Sequence, residues 1–219
     1  IMIISSRYFK PDEGYKLKRG VDPRYRLFLF TAATVGDSAF IMPVENLDEV
    51  GHRVFPTRDF LVYVDGHGKT FDQVLERGFE LTGRFGINMI LFDWPTDYLA
   101  LRKTAYNADE VAGNFVRIMN RVEAWHVTYY PDVSVSAIFH SMGNRILKSV
   151  TASKKLLELM PKDLFSNLII NAAAVRQGNH EKWLEKLSIQ QRIYVTINRD
   201  DRTLQGAKIL RMAHQLGLG

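Results

Sequence analysis

Ser141 is the residue whose type and setting best fit it for chemistry. The run Val133 to Leu147 reads VSVSAIFHSMGNRIL: β-branched and apolar at Val133, Val135 and Ile138, then His140-Ser141-Met142-Gly143, then helix-forming residues through Arg145 to Val150. A serine on a sharp strand-to-helix turn, with glycine two residues on, is the arrangement that nucleophilic catalysis uses. A hydroxyl is a weak nucleophile, so its Oγ must stand clear of the sheet where a histidine can take its proton. The N–H of the next residue, Met142, must also face the oxyanion that develops. The same Ser-x-Gly turn serves as a plain connection in other parallel-sheet proteins, so the motif alone leaves both readings open. Phe139 sharpens the question. The position two before such a serine is crowded, so its ring must find room or relax the turn.

A serine nucleophile needs an acid and a histidine, and in this kind of turn they follow it in that order. After the strand expected at Leu168 to Ala172, the run Asn171 to Val175 has no carboxylate. After the strand expected at Ile193 to Ile197 stand Asp200 and Asp201, and both remain open as the acid. His214 alone follows them. It lies in or just after a helical pattern from Leu204 to Gln215, and a dozen helical residues would carry it about 15–20 Å along the axis. No further strand is read before Gly219. The base is therefore expected beyond Gly219 or absent, with His214 not in that role; an opening at Ile1 and not at methionine agrees with a piece of a longer protein. His140 is read as core packing turned away from the nucleophile, and His52, His126 and His180 as surface or loop residues. No His, Asp or Glu cluster has metal-ligand spacing, so neither metal nor cofactor is expected.

The elements that must position Ser141 alternate from Asp59 onward. Phe60 to Val64 is a continuous apolar strand, and Thr70 is set to N-cap a helix that Gly86 ends. Met89 to Phe92 is the next strand, closed by Asp93-Trp94-Pro95. A long helix follows from about Thr104 to Tyr129, with Ala108, Val111, Phe115, Ile118 and Val122 on its core face. The turn at Ser141 leads into a helix that runs to Pro161. His180 to Leu187 reads as a short helix. Before Asp59, Met2 to Ser5, Arg26 to Thr31 and Ala39 to Val44 are strand candidates, and Asp12 to Arg24 reads as a charged connection. Such alternation predicts a mostly parallel sheet with helices on both faces and a site beyond the strands' carboxyl ends.

Composition narrows the classes. The 219 residues are 46% hydrophobic and 24% charged, which suits one domain with its own core. The net charge of +5 comes from scattered Lys and Arg with no nucleic-acid motif, so no nucleic-acid partner is expected. No apolar run reaches the length of a bilayer span. The chain has no cysteine, which excludes disulfides and thiol chemistry and accords with a cytoplasmic location.

Four stretches together resemble one family, the bacterial alpha/beta hydrolases of uncharacterised function. They are VDGHGKTF (Val64 to Phe71), FDWPT (Phe92 to Thr96), FHSMGNRIL (Phe139 to Leu147) and NRDDRTL (Asn198 to Leu204). In that family they correspond to an HGYN-like oxyanion loop, a SWPS-like strand end, an AHSMGNR-like elbow and an NDRAL-like acid loop. The likeness covers about Asp59 to Leu210, with IISSRY near the start matching an early strand. It implies an alpha/beta-hydrolase-like α/β fold in one domain over 1–219, with antiparallel N-terminal strands and without the last strand and histidine loop. It makes Ser141 the nucleophile and Asp201, in preference to Asp200, the acid that orients the histidine. Gly66, His67 and Met142 become the backbone donors of the oxyanion hole. Asp65-Gly66 stands where the family has His-Gly, and a carboxylate there repels an oxyanion unless it points away or is paired. The implied activity is a serine hydrolase of ester, lipid or other acyl substrates. The alternatives are a degenerate fold kept as a binding module and an acyltransferase with the same triad.

Overall fold

The computed structural model describes residues 1–10, 16–21, 28–35, 38–51, 58–96, 101–175 and 180–197. In chain order these form β1 (Met2–Ser5), β2 (Arg7–Lys10), β3 (Lys16–Val21), β4 (Phe28–Val35), β5 (Ser38–Val44), α1 (Leu47–Gly51), β6 (Phe60–Val64), α2 (Phe71–Phe85), β7 (Asn88–Asp93), α3 (Leu101–Tyr129), β8 (Val135–His140), a 3-10 turn Ser141–Gly143, α4 (Asn144–Ala152), α5 (Lys154–Leu159), β9 (Phe165–Asn171), α6 (His180–Leu184) and β10 (Gln190–Val195). The expected helix from Leu204, with Asp200, Asp201 and His214, lies outside the described residues.

Eight strands form one sheet in the order β10-β9-β8-β6-β7-β1-β4-β5. From β10 to β1 every pairing is parallel, and antiparallel pairing enters at β4 against β1 and β5. The chain passes from β6 to β7 on one side, then through α3 to β8 on the other side of β6. That reversal makes the carboxyl ends of β6 and β8 the natural place for a site, because their loops diverge there.

Both faces of the central strands are covered, which is why β6 is apolar throughout, β7 is apolar from Met89 to Phe92, and both are buried at every position. Alternation along the strands divides their side chains between two layers. Val62, Val64, Ile90 and Phe92 meet α3 and α4 in the larger core, while Leu61, Tyr63, Met89 and Leu91 meet Val74 and Leu75 of α2 in the smaller one. α2 is held at its start by a capping box between Thr70 and Gln73, and ends at Gly86, left-handed at φ 63°. Thr70 and Gly86 thus act as the sequence predicts.

Phe139 finds its room. Its ring is fully buried and meets Phe115 of α3 edge-on at 5.3 Å, and Phe115 meets Phe92 of β7 at the same distance. The bulk at this position belongs to a stack crossing from helix to sheet.

Three expectations need correction. The charged run 12–24 contains a strand, β3, which pairs antiparallel with β2 in a separate two-stranded sheet; its Lys, Arg and Gly content hides the pairing that satisfies its backbone. α3 begins at Leu101, ahead of Thr104. The helix after Ser141 does not run unbroken to Pro161. Ser153 turns extended (φ −110°, ψ 111°), ends α4 and caps α5 by accepting from the Leu156 N–H.

The ring stack gives a stability prediction. Phe139→Ala should lower unfolding free energy by about 3–5 kcal/mol, as large-to-small changes in packed cores do. Phe40→Ala, at a side chain 54% exposed, should cost far less. Denaturant midpoints of the two variants check this; similar losses would show that the stack is not what holds Phe139.

Candidate active site

β8 delivers Ser141 to the carboxyl end of the sheet, and the backbone there departs from strand geometry. Ser141 has φ 49°, in the left-handed region that costs a residue with a side chain about 1–3 kcal/mol. Three groups fix it there. The Ala174 N–H donates to the Ser141 carbonyl at 3.2 Å. The fully buried Asn144 reaches back, its Nδ2 donating to the carbonyls of Phe139 (2.8 Å), Ser141 (3.1 Å) and Asn171 (3.2 Å). Gly143 presses the turn onto β6, where an added Cβ would stand 2.8 Å from the carbonyl oxygens of Val64 and Asp65.

Arg145 braces the following helix. Its Nε donates to the Ala105 carbonyl at 3.1 Å and its Nη2 to Asp109 Oδ2 at 2.8 Å, while Ser149 Oγ also donates to Asp109. Gly143, Asn144 and Arg145 of SMGNR thus each hold part of the turn, which the sequence motif did not say. A buried asparagine at the start of a helix reads as a cap; only the fold shows it joining two strand ends.

The loop after β6 lies against the serine. A Cβ on Gly66 would come within 2.7 Å of Ser141 Cβ and 3.2 Å of its Oγ, so glycine is required by proximity. Gly66 is therefore brought against Ser141 and Met142 follows it on the same turn, while His67 comes next along the loop with its Nδ1 at 2.8 Å from Thr104 Oγ1. Asp65 is 3% exposed, and its Oδ1 accepts from the Gly66 N–H at 2.7 Å. Its Oδ2 is buried with no hydrogen-bond partner among the described residues. Burial pushes the Tyr63 phenol well above its ordinary range, and the charge of the neighbouring Asp65 adds to the rise. The Tyr63 hydroxyl accordingly stays protonated beside that carboxylate.

His140 is half-buried and held by a polar side chain, where the sequence points to core packing. Its Nδ1 meets Asn171 Oδ1 at 2.7 Å, and Asn171 Nδ2 donates to Thr196 Oγ1 at 2.9 Å. With the amide nitrogen turned to Thr196, the amide oxygen faces the imidazole, so Nδ1 carries the proton. This chain ties the ends of β8, β9 and the residue after β10 together. His126 lies on α3 with Nε2 against the Val133 carbonyl at 2.8 Å, and His180 begins α6. His52, Asp200, Asp201 and His214 lie outside the described residues. Among the described residues no group of three or more His, Asp or Glu side chains could hold a metal ion.

Two glycines separate crowding from propensity. Gly143→Ala should destabilise by about 1–3 kcal/mol, because the atoms it meets are backbone and cannot yield. Gly83→Ala in α2, where nothing lies within 4 Å, should instead stabilise by about 0.5–1 kcal/mol. Thermal or denaturant unfolding compares them, and equal midpoints would refute the close approach at the turn.

The sheet order, the left-handed serine and the glycine contact meet in one comparison. Residues 46–218 match the family described as "Alpha/beta hydrolase of unknown function (DUF900)". No curated protein matches the chain. Among the described residues no helix is long and apolar enough to cross a membrane. The match takes in β6 to β10, the turn at Ser141 and the loop that faces it, and the chain belongs to this alpha/beta-hydrolase family.

Proposed function

We propose that the protein is a serine hydrolase of ester, lipid or other acyl substrates, with Ser141 as nucleophile. The observation that carries the reading is Ser141 held at φ 49° at the end of β8, with Gly66 against its Oγ. A left-handed nucleophile presents its hydroxyl above the sheet edge, where a substrate carbonyl can approach. In the reaction Oγ bonds to the acyl carbon as its proton passes to a histidine. The resulting oxyanion is held by backbone N–H groups, and the leaving alcohol takes the proton back. Water then releases the acyl group from Ser141. Asp201 is the carboxylate that orients the histidine.

For the oxyanion, Met142 and His67 carry more weight in this proposal than Gly66. The Gly66 N–H is engaged by Asp65, and a substrate oxygen would have to compete for it. That same engagement favours a second reading, in which the fold binds an acyl ligand without turning it over. Asp65 puts a buried negative charge beside the place where another must form.

A fluorophosphonate probe distinguishes them. The hydrolase reading expects Ser141 to be modified and Ser141→Ala not to be, with turnover of a simple ester falling on the order of a million-fold in that variant. Labelling that survives Ser141→Ala removes Ser141 from the role, and an intact full-length chain that does not label at all supports the binding module.

The acid is tested separately. Asp201→Asn should leave the fold intact and reduce hydrolysis by roughly ten thousand-fold, since the histidine loses its orienting acceptor. Asp200→Asn should do much less. Steady-state kinetics of both variants decide between the two carboxylates, and reversed effects would move the acid by one residue.

A further inference from the structure

Residues 1–45 precede the stretch that matches the family, yet one of their side chains reaches the loop beside the site. Arg7 opens β2, and its side chain is 4% exposed against an Asp93 side chain at 0%. Its Nε donates to both Asp93 carboxylate oxygens at 2.8 Å. Ser5 Oγ donates to Asp93 Oδ2 at 2.6 Å, completing a buried ionic cluster at the carboxyl end of β7. Arg7 Nη2 then reaches past the carboxylate to the Lys69 carbonyl at 2.9 Å.

Two ions taken out of water lose hydration that their attraction only about restores, so such a pair is weak as a source of stability. What it provides here, and an apolar pair could not, is a fixed donor on the backbone of the loop after β6. That loop is pinned along its length. Trp94 Nε1 donates to the Asp65 carbonyl at 2.9 Å, and His67 Nδ1 meets Thr104 Oγ1 at 2.8 Å. At Lys69, Thr96 Oγ1 accepts from the N–H at 2.9 Å and donates to the carbonyl at 2.8 Å, the same carbonyl that Arg7 holds. The FDWPT stretch is weak as a motif, but Asp93, Trp94 and Thr96 within it share one physical role. Asp93 acts through Arg7, while Trp94 and Thr96 grip directly the loop that carries Gly66 and His67.

We propose that Arg7 is a positioning residue for the oxyanion loop, and that the N-terminal segment outside the family stretch is part of the catalytic unit. Arg7 touches no reacting atom. Held in place by Asp93 and Ser5, it fixes the Lys69 backbone and so the setting of the Gly66 and His67 N–H groups against Ser141. Its effect on rate rests on the serine-hydrolase reading; its grip on the loop does not.

Arg7→Lys is the informative variant. It keeps a positive charge against Asp93, but an ammonium cannot span both the carboxylate and the Lys69 carbonyl as the guanidinium fork does. Thr96→Val loosens the same carbonyl without touching a charge. In the full chain, folding by circular dichroism, fluorophosphonate labelling of Ser141, ester kinetics and amide hydrogen exchange are measured together. For Arg7→Lys the expected result is labelling and kcat lower by roughly a hundred-fold with KM little changed, the effect of a misplacement near 1 Å. Exchange should quicken over 65–70 and stay unchanged in α4 and β9. Thr96→Val should show a smaller change of the same pattern, and it decides the matter if Arg7→Lys does not fold. Unchanged rates and exchange in a folded variant would overturn the proposal, as would exchange that quickens throughout the chain or loss of fold in both variants. If the wild-type full-length protein, with its histidine, fails to label, the hydrolase reading falls, and exchange over 65–70 alone then upholds or overturns the clamp.

Discussion

A serine with a positive φ is a constraint that the surrounding chain must impose, because the residue would not adopt it unaided. Around Ser141 the imposition is made mostly by backbone. Its carbonyl receives the Ala174 N–H from the loop after β9 and both the backbone N–H and the side-chain amide of Asn144, and the glycines on either side in space leave no slack. The turn is therefore built by three strand ends at once, β6, β8 and β9. None of the three could shift by much without releasing the serine. α3 adds the remaining restraint: Phe115 packs on Phe139 just before the turn, and Asp109 with the Ala105 carbonyl holds Arg145 just after it.

Asp65 sits uneasily in this arrangement. It is a buried carboxylate with one oxygen on the next residue's N–H and the other without a partner among the described residues, a few atoms from the nucleophile. Burying such a group costs free energy, which the Gly66 N–H and the protonated Tyr63 hydroxyl beside it offset in part. The pairing of Oδ1 with Gly66 shows how the chain avoids pointing that oxygen at the serine, at the expense of one backbone donor. Trp94, gripping the Asp65 carbonyl, keeps the backbone from rotating to relieve it.

Much of this was legible in the sequence, and the gaps have physical causes. Strand-helix alternation, the cap at Thr70 and the glycine at 86 are local signals, carried by residues a few positions apart, and they pointed to the parallel sheet and the place of Ser141 within it. The sharp strand-to-helix turn was legible as Ser-Met-Gly; its left-handed serine was not. Arg7 was not, because its meaning depends on Asp93, 86 positions away, and on a carbonyl that has no side-chain identity. Phe139 read as a defect because the sequence cannot say that Phe115 stands opposite. His140 read as core because nothing local announces an asparagine from the neighbouring strand. β3 was missed for the opposite reason: its charges looked like a loop, and only its partner makes it a strand.

The place of β1 in the sheet has a consequence for how the molecule comes into being. β1 lies between β4 and β7, pairing Ser5 with Phe28 on one side and with Asp93 on the other. As the chain emerges from the ribosome, the first side can close almost at once. The second must wait for β7, and at about 5–20 residues per second that is roughly 4–18 seconds of synthesis. Throughout that interval a strand of Met, Ile and Ile presents an open edge, and the Arg7 guanidinium has no Asp93 to receive it. The Arg7–Asp93 pair therefore waits on a long-range closure, whereas the turn that bears Ser141, and the β9 end that holds it, are made only after β7 is complete.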